Sequence, residues 1–288
     1  MAQADSTTGG DRPALDQPRA AADTPSADEV ILPFDEDSAT EEEIKRGLEG
    51  GGTRDAAPKF LYIGEGKSAD EFSAYVKTYN FGTQPPDYVV LHHTANPGLN
   101  GVCWGTPCGS WNAGEEGLTD EQIYQKRKGR LDGMRNYYRD TNGWDRGPHL
   151  FIDDRYIWLF TPMYYEGIHA KWGNQFKDAQ GKPHYSVGIE VVGYYEDAPW
   201  SAPVANMVGR AVAALKQQLG TFELEYMYPT PESKPGMVGS GLQQRCAHPD
   251  RLKWGGISSH RDYNKPACPG KAITEEFYIQ VLRAGLGG

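Results

Sequence analysis

The sequence predicts an α/β fold: a single domain with a central mixed β-sheet flanked by helices, preceded by a disordered acidic tail. Three observations point there. Short β-rich runs are interspersed with amphipathic helical stretches, and hairpin-like and crossover-length connections are mixed along the chain. No self-similarity with a period of about 20 to 50 residues appears, which removes solenoids and propellers.

The tail comes first. The 288 residues carry a formal net charge of −10, but residues 1–55 hold 14 acidic and 5 basic side chains, so the other 233 sit near −1. This segment is rich in Ala, Asp, Pro and Thr and almost free of aromatics, so it cannot bury enough apolar surface to offset the entropy lost on ordering. It is read as disordered, with one short helix at Glu41–Leu48, and residues 57–288 as the folded domain.

Within that domain, Lys59–Ile63 (KFLYI) is read as the first strand. Ser68 with Glu71 makes a capping-box pattern that opens a helix to about Tyr79. Tyr88–His93 (YVVLHH), bounded by PPD and TANPG, reads as a buried strand. Asn96–Gly117 is a Gly-rich loop carrying Trp104 and Trp111, longer than ordinary connections. Thr119 with Gln122 repeats the capping pattern and starts a helix to about Arg139. Two strands follow, His149–Asp153 and Tyr156–Phe160, joined by a tight turn at Asp153, Asp154 and Arg155. Ser186–Val192 (SVGIEVV) has the β-branched content of a central strand, with Glu190 set into it. Helices at about Pro203–Leu219 and Ile273–Ala284 complete the set.

Composition excludes several classes. The chain is 38% hydrophobic, with 17 Tyr and 7 Trp to fill a core. No apolar run is long enough for membrane insertion, and Met1–Gly10 has neither the basic start nor the apolar block of a secretory signal. Either the chain is not exported by that route or its signal has been removed. No basic stripe or RNA-binding signature appears, so no nucleic-acid partner is expected. The protein is expected to be a monomer. Four cysteines are too few for a disulfide scaffold. Cys103 and Cys108 (CWGTPC) are close enough to bridge within one loop, and metal binding is the other usual employment of the thiol.

His92, at a strand end, combines with His260 and Cys268, which stand eight residues apart in SSHRDYNKPACPG. Zinc prefers imidazole nitrogen and thiolate sulfur, and a catalytic site uses three protein ligands with a fourth position for water. The competing reading makes Cys268 a buried small apolar residue. Strand alternation sends His92 and His93 to opposite faces, so only one of them faces a shared cleft. Glu190 inside an apolar strand is costly unless paired or used, which leaves a structural salt bridge or a catalytic role.

Taken in order, LHHTAN, a helix, GWDRGPHLFID, GIHAKWGN, SVGIEVVG and SHRDYNKPACPG resemble the zinc-dependent N-acetylmuramoyl-L-alanine amidases of the type that includes bacteriophage endolysins and animal peptidoglycan recognition proteins. The resemblance runs from about Tyr88 to Leu286. It implies the type 2 amidase fold, zinc as cofactor, and His92, His260 and Cys268 as its ligands, leaving His93 to pack on the other face. Many members place a Tyr where this chain has Pro148, whereas related amidases use a Glu in a strand reading SIGIE. That correspondence makes Glu190 the catalytic base.

Enzymes of the family this chain resembles usually carry Lys or Thr two residues before the metal-binding Cys or Asp, where it can help to hold the developing oxyanion. This chain has Pro266 there and Lys265 one step earlier, either as the oxyanion-stabilising catalytic residue or as a solvated loop lysine. His169 matches a residue lining the substrate cleft, and Trp172 and Asn174 beside it are expected to contact sugar or peptide. Trp104 and Trp111 are placed on a groove wall, His149 in a structural role, and His184 and His248 in loops without a role. A Cys103–Cys108 bridge would match one found in some recognition proteins and imply an oxidising destination.

The implied reaction is hydrolysis of the amide between the lactyl group of N-acetylmuramic acid and L-alanine, with peptidoglycan, both glycan strand and stem peptide, as partner. The implied setting is that of an endolysin released from the host cytoplasm to the wall, or otherwise a secreted wall enzyme. A binding-only recognition module shares the fold but typically lacks the metal-binding Cys. A cytoplasmic recycling amidase shares the chemistry but uses Asp as third ligand.

Overall fold

An apolar, β-branched run buried on both faces is what a parallel strand covered on both sides requires. Tyr88–His93 meets that demand, with its first five residues buried and only His93 partly open. The structure, a computed structural model, describes residues 60–105, 108–177, 182–219, 256–263 and 265–286. Among them the strands are β1 (Glu65–Lys67), β2 (Tyr88–His93), β3 (Leu150–Ile152), β4 (Ile157–Leu159), β5 (Gln175–Lys177), β6 (Pro183–Val191) and β7 (Ile257–Ser259). They form one mixed sheet in the order β1-β4-β3-β6-β2-β7, with β5 antiparallel to β6. β3, β6, β2 and β7 are mutually parallel, while β4 and β1 add an antiparallel edge.

The helices are α1 (Ala69–Thr78), α2 (Asp120–Asn136), α3 (Ala202–Leu219) and α4 (Glu275–Ala284). Both capping boxes form: Ser68 with Glu71 opens α1, and Thr119 with Gln122 opens α2. Each box satisfies two backbone N–H groups that the first turn leaves free. α3 buries Val204, Met207, Val208, Ala211, Val212 and Leu215 at helical spacing and packs on α1 and α4.

Several expectations need correction. Phe60–Ile63 is not a strand, although Phe60 and Tyr62 are buried. Its N–H groups find scattered partners, Leu61 donating to the Asp145 carbonyl at 2.7 Å and Ile63 to that of Phe160 at 2.8 Å. Gly64 then turns with φ +72°, and the ladder to β4 begins at Glu65. α2 gives way at Tyr137 to a wider π-helical turn, Tyr137–Thr141. That turn carries Tyr138 into a stack on Trp144 (ring centroids 5.1 Å) and edge-on to Phe160 (5.8 Å). β5 and β7, three residues each, are additions, and β6 starts three residues before Ser186. His184 therefore lies in a strand rather than a loop, where its Nδ1 meets Asp87 Oδ2 at 2.6 Å. The acidic tail, its helix at Glu41–Leu48, Cys246 and His248 fall outside the described residues.

The two faces of β2 divide as a period of two dictates. Val89 and Leu91 join the large core shared with α1, α3 and α4. Tyr88 and Val90 pack with Ala170 and Tyr263 in a second, smaller cluster, and that is the face His92 inherits.

Candidate functional site

Strand register brings the chemistry together. β2 and β6 pair with His92 directly opposite Glu190, so both side chains emerge on the same face. β7 pairs with β2 through Leu91 and Ser259, which delivers the next residue, His260, beside His92. All three stand at the carboxyl ends of parallel strands, where open α/β sheets place their ligands. Cys268 arrives on the loop after the short 3-10 turn His260–Tyr263. Arg261 braces that loop, its Nη2 donating to the carbonyls of Gly270 (2.6 Å) and Ile273 (3.1 Å). Asp262 caps the turn by accepting from Ser259 N–H at 2.8 Å and Ser259 Oγ at 3.1 Å.

The donor atoms of His92, His260 and Cys268 all lie within 4.8 Å of one another. His92 Nδ1 is 2.9 Å from His260 Nδ1, 4.0 Å from Cys268 Sγ and 3.8 Å from Glu190 Oε1. Two donors on one tetrahedral zinc stand about 3.3–3.6 Å apart, as follows from metal–ligand bonds of about 2.0–2.3 Å. The observed spacings bracket that range, so the donor set fits a small divalent cation. Glu190 Oε2 is buried with no hydrogen-bond partner among the described residues.

The electrostatics agree with a pocket built for positive charge. Burial pushes the Glu190 carboxyl up to about 8. Burial, and then the Glu190 charge, hold the Cys268 thiol well above its ordinary value. Burial lowers His92 strongly, with His260, His169 and His93 adding to it. Burial, followed by the charges of Lys265 and Lys171, lowers His260 to about 3. Neutral imidazoles, a neutral thiol and a neutral carboxyl are therefore the stable forms without a cation, and a divalent charge favours the ionised thiol and carboxyl.

The remaining residues singled out from sequence fall as follows. His93 points to the other face, stacked on Tyr194 with ring centroids 6.0 Å apart, while its N–H donates to Cys268 Sγ at 3.4 Å. His169 lies behind His92, only 9% exposed, with its Nδ1 3.0 Å from His92 Nε2. Asn174 Oδ1 accepts from the N–H groups of His169 (3.1 Å) and Ala170 (2.6 Å), which commits that oxygen to holding the His169 loop. Trp172 lies in the 3-10 turn Lys171–Gly173, and its side chain is outside the described part. Lys265 caps the turn with its N–H on the His260 carbonyl at 3.3 Å, and its charge acts on His260.

His149 is fully buried; Gly188 N–H donates to its Nδ1 at 2.9 Å, and its Nε2 faces the Tyr165 carbonyl at 2.9 Å. Cys103 and Cys108 form a disulfide. Trp104 is 43% exposed on that loop, whereas Trp111 is in the core with Nε1 donating to Asp153 Oδ2 at 2.8 Å. Pro148 is buried and occupies its expected place before His149.

Two features escaped sequence reasoning. Asp153, read as a turn residue, is fully buried and also accepts from Trp158 Nε1 (2.9 Å) and pairs with Arg127 Nη1 (2.9 Å). Ser186 and Gly188, inside the SVGIE string already noted for its acid, form the bed on which His169 rests. The string's small residues were the available signal.

Two imidazoles and a thiol around one point, with a carboxyl alongside, give the donor chemistry of a metal centre on a mixed α/β sheet. The family described as N-acetylmuramoyl-L-alanine amidase matches residues 82–271, about two thirds of the chain, and the chain belongs to that family. Comparison with curated proteins gave no match. Among solved structures, the peptidoglycan recognition protein PGRP-SA of Apis mellifera is 14% identical, covering 83% of this chain and 93% of that one with a TM-score of 0.40. Drosophila PGRP-LB, solved with tracheal cytotoxin, is 16% identical over 70% and 85%, TM-score 0.35. The endolysin amidase LysCS from Clostridium intestinale is 14% identical over 69% and 85%, TM-score 0.34. At these scores the likenesses add nothing to the family assignment.

Proposed function

We propose that this chain is an endolysin-type, zinc-dependent N-acetylmuramoyl-L-alanine amidase, cutting peptidoglycan between the lactyl group of N-acetylmuramic acid and L-alanine of the stem peptide. Residues 57–288 would be the catalytic domain and residues 1–55 an acidic tail, acting as a monomer at the cell wall. The observation that carries the reading is the convergence of His92, His260 and Cys268 within 4.8 Å beside a buried, partnerless carboxylate oxygen of Glu190. Those three residues would hold zinc, which when bound supplies Lewis-acid polarisation of a carbonyl and acidification of water.

Glu190 does the proton work. Its free Oε2 accepts the proton of the attacking water and then delivers it to the leaving amine nitrogen, a task suited to a carboxyl whose pKa is lifted toward neutrality. Lys265, beside His260, supplies positive charge for the developing oxyanion. Trp104 offers aromatic surface to the glycan or peptide, Trp172 is kept as a substrate contact on its place in the sequence alone, and the His169 loop braced by Asn174 forms part of the groove floor. Among the described residues no helix is long and apolar enough to cross a membrane.

Mass spectrometry of peptidoglycan digested by the zinc-loaded chain tests the reading. The expected products are stem peptides with free L-alanine amino termini and glycan strands with intact lactyl carboxylates. Cleavage of glycosidic or interpeptide bonds, or zinc binding without any cleavage, would overturn it, and the latter result would favour a recognition module.

A further inference from the structure

We infer that His169 is a positioning residue for His92: together with Ser186 it fixes the proton of His92 on Nε2 and so leaves Nδ1 bare toward His260 and Cys268. The inference deepens the metal-centre reading above and rests on it for its functional meaning, but the hydrogen-bond logic stands on its own.

The chain of contacts has only one consistent direction. Ser186 Oγ lies 2.9 Å from the Gly173 carbonyl, 3.0 Å from the Asn174 carbonyl and 3.1 Å from His169 Nε2. Carbonyl oxygens only accept, so the single hydroxyl proton of Ser186 goes to one of them. The hydroxyl oxygen then has a lone pair for His169, and His169 Nε2 is the donor. His169 is buried among neutral groups, where a doubly protonated ring would be an unpaired buried charge. Its Nδ1 is therefore bare and accepts from His92 Nε2–H across 3.0 Å. The remaining nitrogen of His92, Nδ1, is the one 2.9 Å from His260 and 4.0 Å from Cys268. A metal-binding imidazole held through its other ring nitrogen is the general device by which such ligands are oriented and their tautomer set.

The sheet is shaped for this ring. A Cβ on Gly188 would stand 2.4 Å from His169 Cδ2, and one on Gly167 would stand 2.6 Å from His149 Cε1 and 3.0 Å from His169 Cδ2. Glycine at both positions lets His169 lie against the β6 backbone, edge-on to His92 with ring centroids 5.0 Å apart. Asn174 holds the same loop from below through two backbone N–H groups.

The test is a long-range proton–nitrogen correlation spectrum of the full-length, metal-free, nitrogen-15-labelled chain near pH 7.5, followed by zinc titration against a chelator of known affinity. In the wild type His92 should show Nε2 as the protonated nitrogen and Nδ1 as the bare one. His169→Leu should lose that preference and weaken zinc binding by about 10- to 100-fold. His169→Asn, whose Oδ1 can stand where Nδ1 stood, should restore the wild-type tautomer and most of the affinity. Protonation of His92 at Nδ1 in the wild type, or an unchanged tautomer in folded His169→Leu, overturns the inference. If the wild type binds no zinc, the metal-centre reading fails, while the metal-free spectra still decide the tautomer.

Discussion

Replacing Glu190 by glutamine should change how the metal-free protein responds to pH, and the size of the effect follows from the burial of the carboxyl. Burial raises the Glu190 pKa from 4.5 to about 8. Between those values the folded chain holds a proton that the unfolded chain has released, so stability falls as pH rises through the window. The shift of about 3.5 units corresponds to roughly 5 kcal/mol in all. The buried histidines act in the opposite sense, because His92, His93, His169, His149 and His260 are depressed below 6.5 and stabilise the fold as pH climbs through that value. Cys268, raised by burial, contributes only where an unfolded thiol begins to ionise, above about pH 8.

From pH 6.5 to 8 the depressed histidines still add about 0.4 kcal/mol each, because their unfolded forms are half protonated at 6.5. Together they offset most of the loss of about 2 kcal/mol that Glu190 causes over the same span of about 1.5 units, so the carboxyl is read from the difference between wild type and Glu190→Gln. Urea unfolding of chelator-treated protein at half-unit steps across this range should show a nearly flat profile in the wild type and a gain of about 2 kcal/mol in Glu190→Gln. Equal slopes in the two proteins would refute the claim that this carboxyl is held protonated by its surroundings.

Three further outcomes follow from the site and its supports. Cys268→Ser should lower zinc affinity by more than about 100-fold, beyond what losing an outer-shell partner costs, and chelator competition reads it directly. Gly188→Ala should push the His169 ring off β6, destabilising the fold by about 1–3 kcal/mol and weakening zinc binding at the same time; unchanged binding would mean the ring is not needed where it sits. Asp153→Ala should cost about 3–5 kcal/mol in urea unfolding, since it strips an acceptor from the Trp111 and Trp158 indoles and a partner from the buried Arg127.

What could be read from sequence divides along physical lines. Local signals held where the structure describes them: both capping boxes, the buried β2 run and the α3 pattern depend on neighbours within a few residues. Ligand chemistry and the spacing of His260 and Cys268 suggested the trio, and the ordered motifs were needed to choose it over a buried structural Cys268, because its proximity to His92 is created by strand pairing between segments about 170 residues apart. Alternation said that His92 and His93 must part company, but only the packing of Tyr88 and Val90 shows which face holds the site. KFLYI misled because an apolar run reports burial rather than pairing, and Phe60 and Tyr62 are buried without a continuous partner strand among the described residues. His169 was expected to line a cleft, and its place behind His92 depends on Gly188 and Ser186, whose smallness carries no charge or aromatic signature. Asp153 looked like punctuation because its partners, Trp111 and Arg127, lie 42 and 26 positions upstream.

The pairing of His92 with Glu190 across adjacent parallel strands has a consequence for sequence change. Their spacing is set by ladder hydrogen bonds between backbones rather than by side-chain packing, so it survives substitutions nearby yet depends on odd-or-even counting along each strand. Removing or adding one residue within β6 ahead of Glu190 would turn the carboxylate to the opposite side of the sheet, whereas an even-numbered change would keep its side and merely offset it along the strand. Length variation in this protein should accordingly be tolerated in the connecting loops and absent from these two strands.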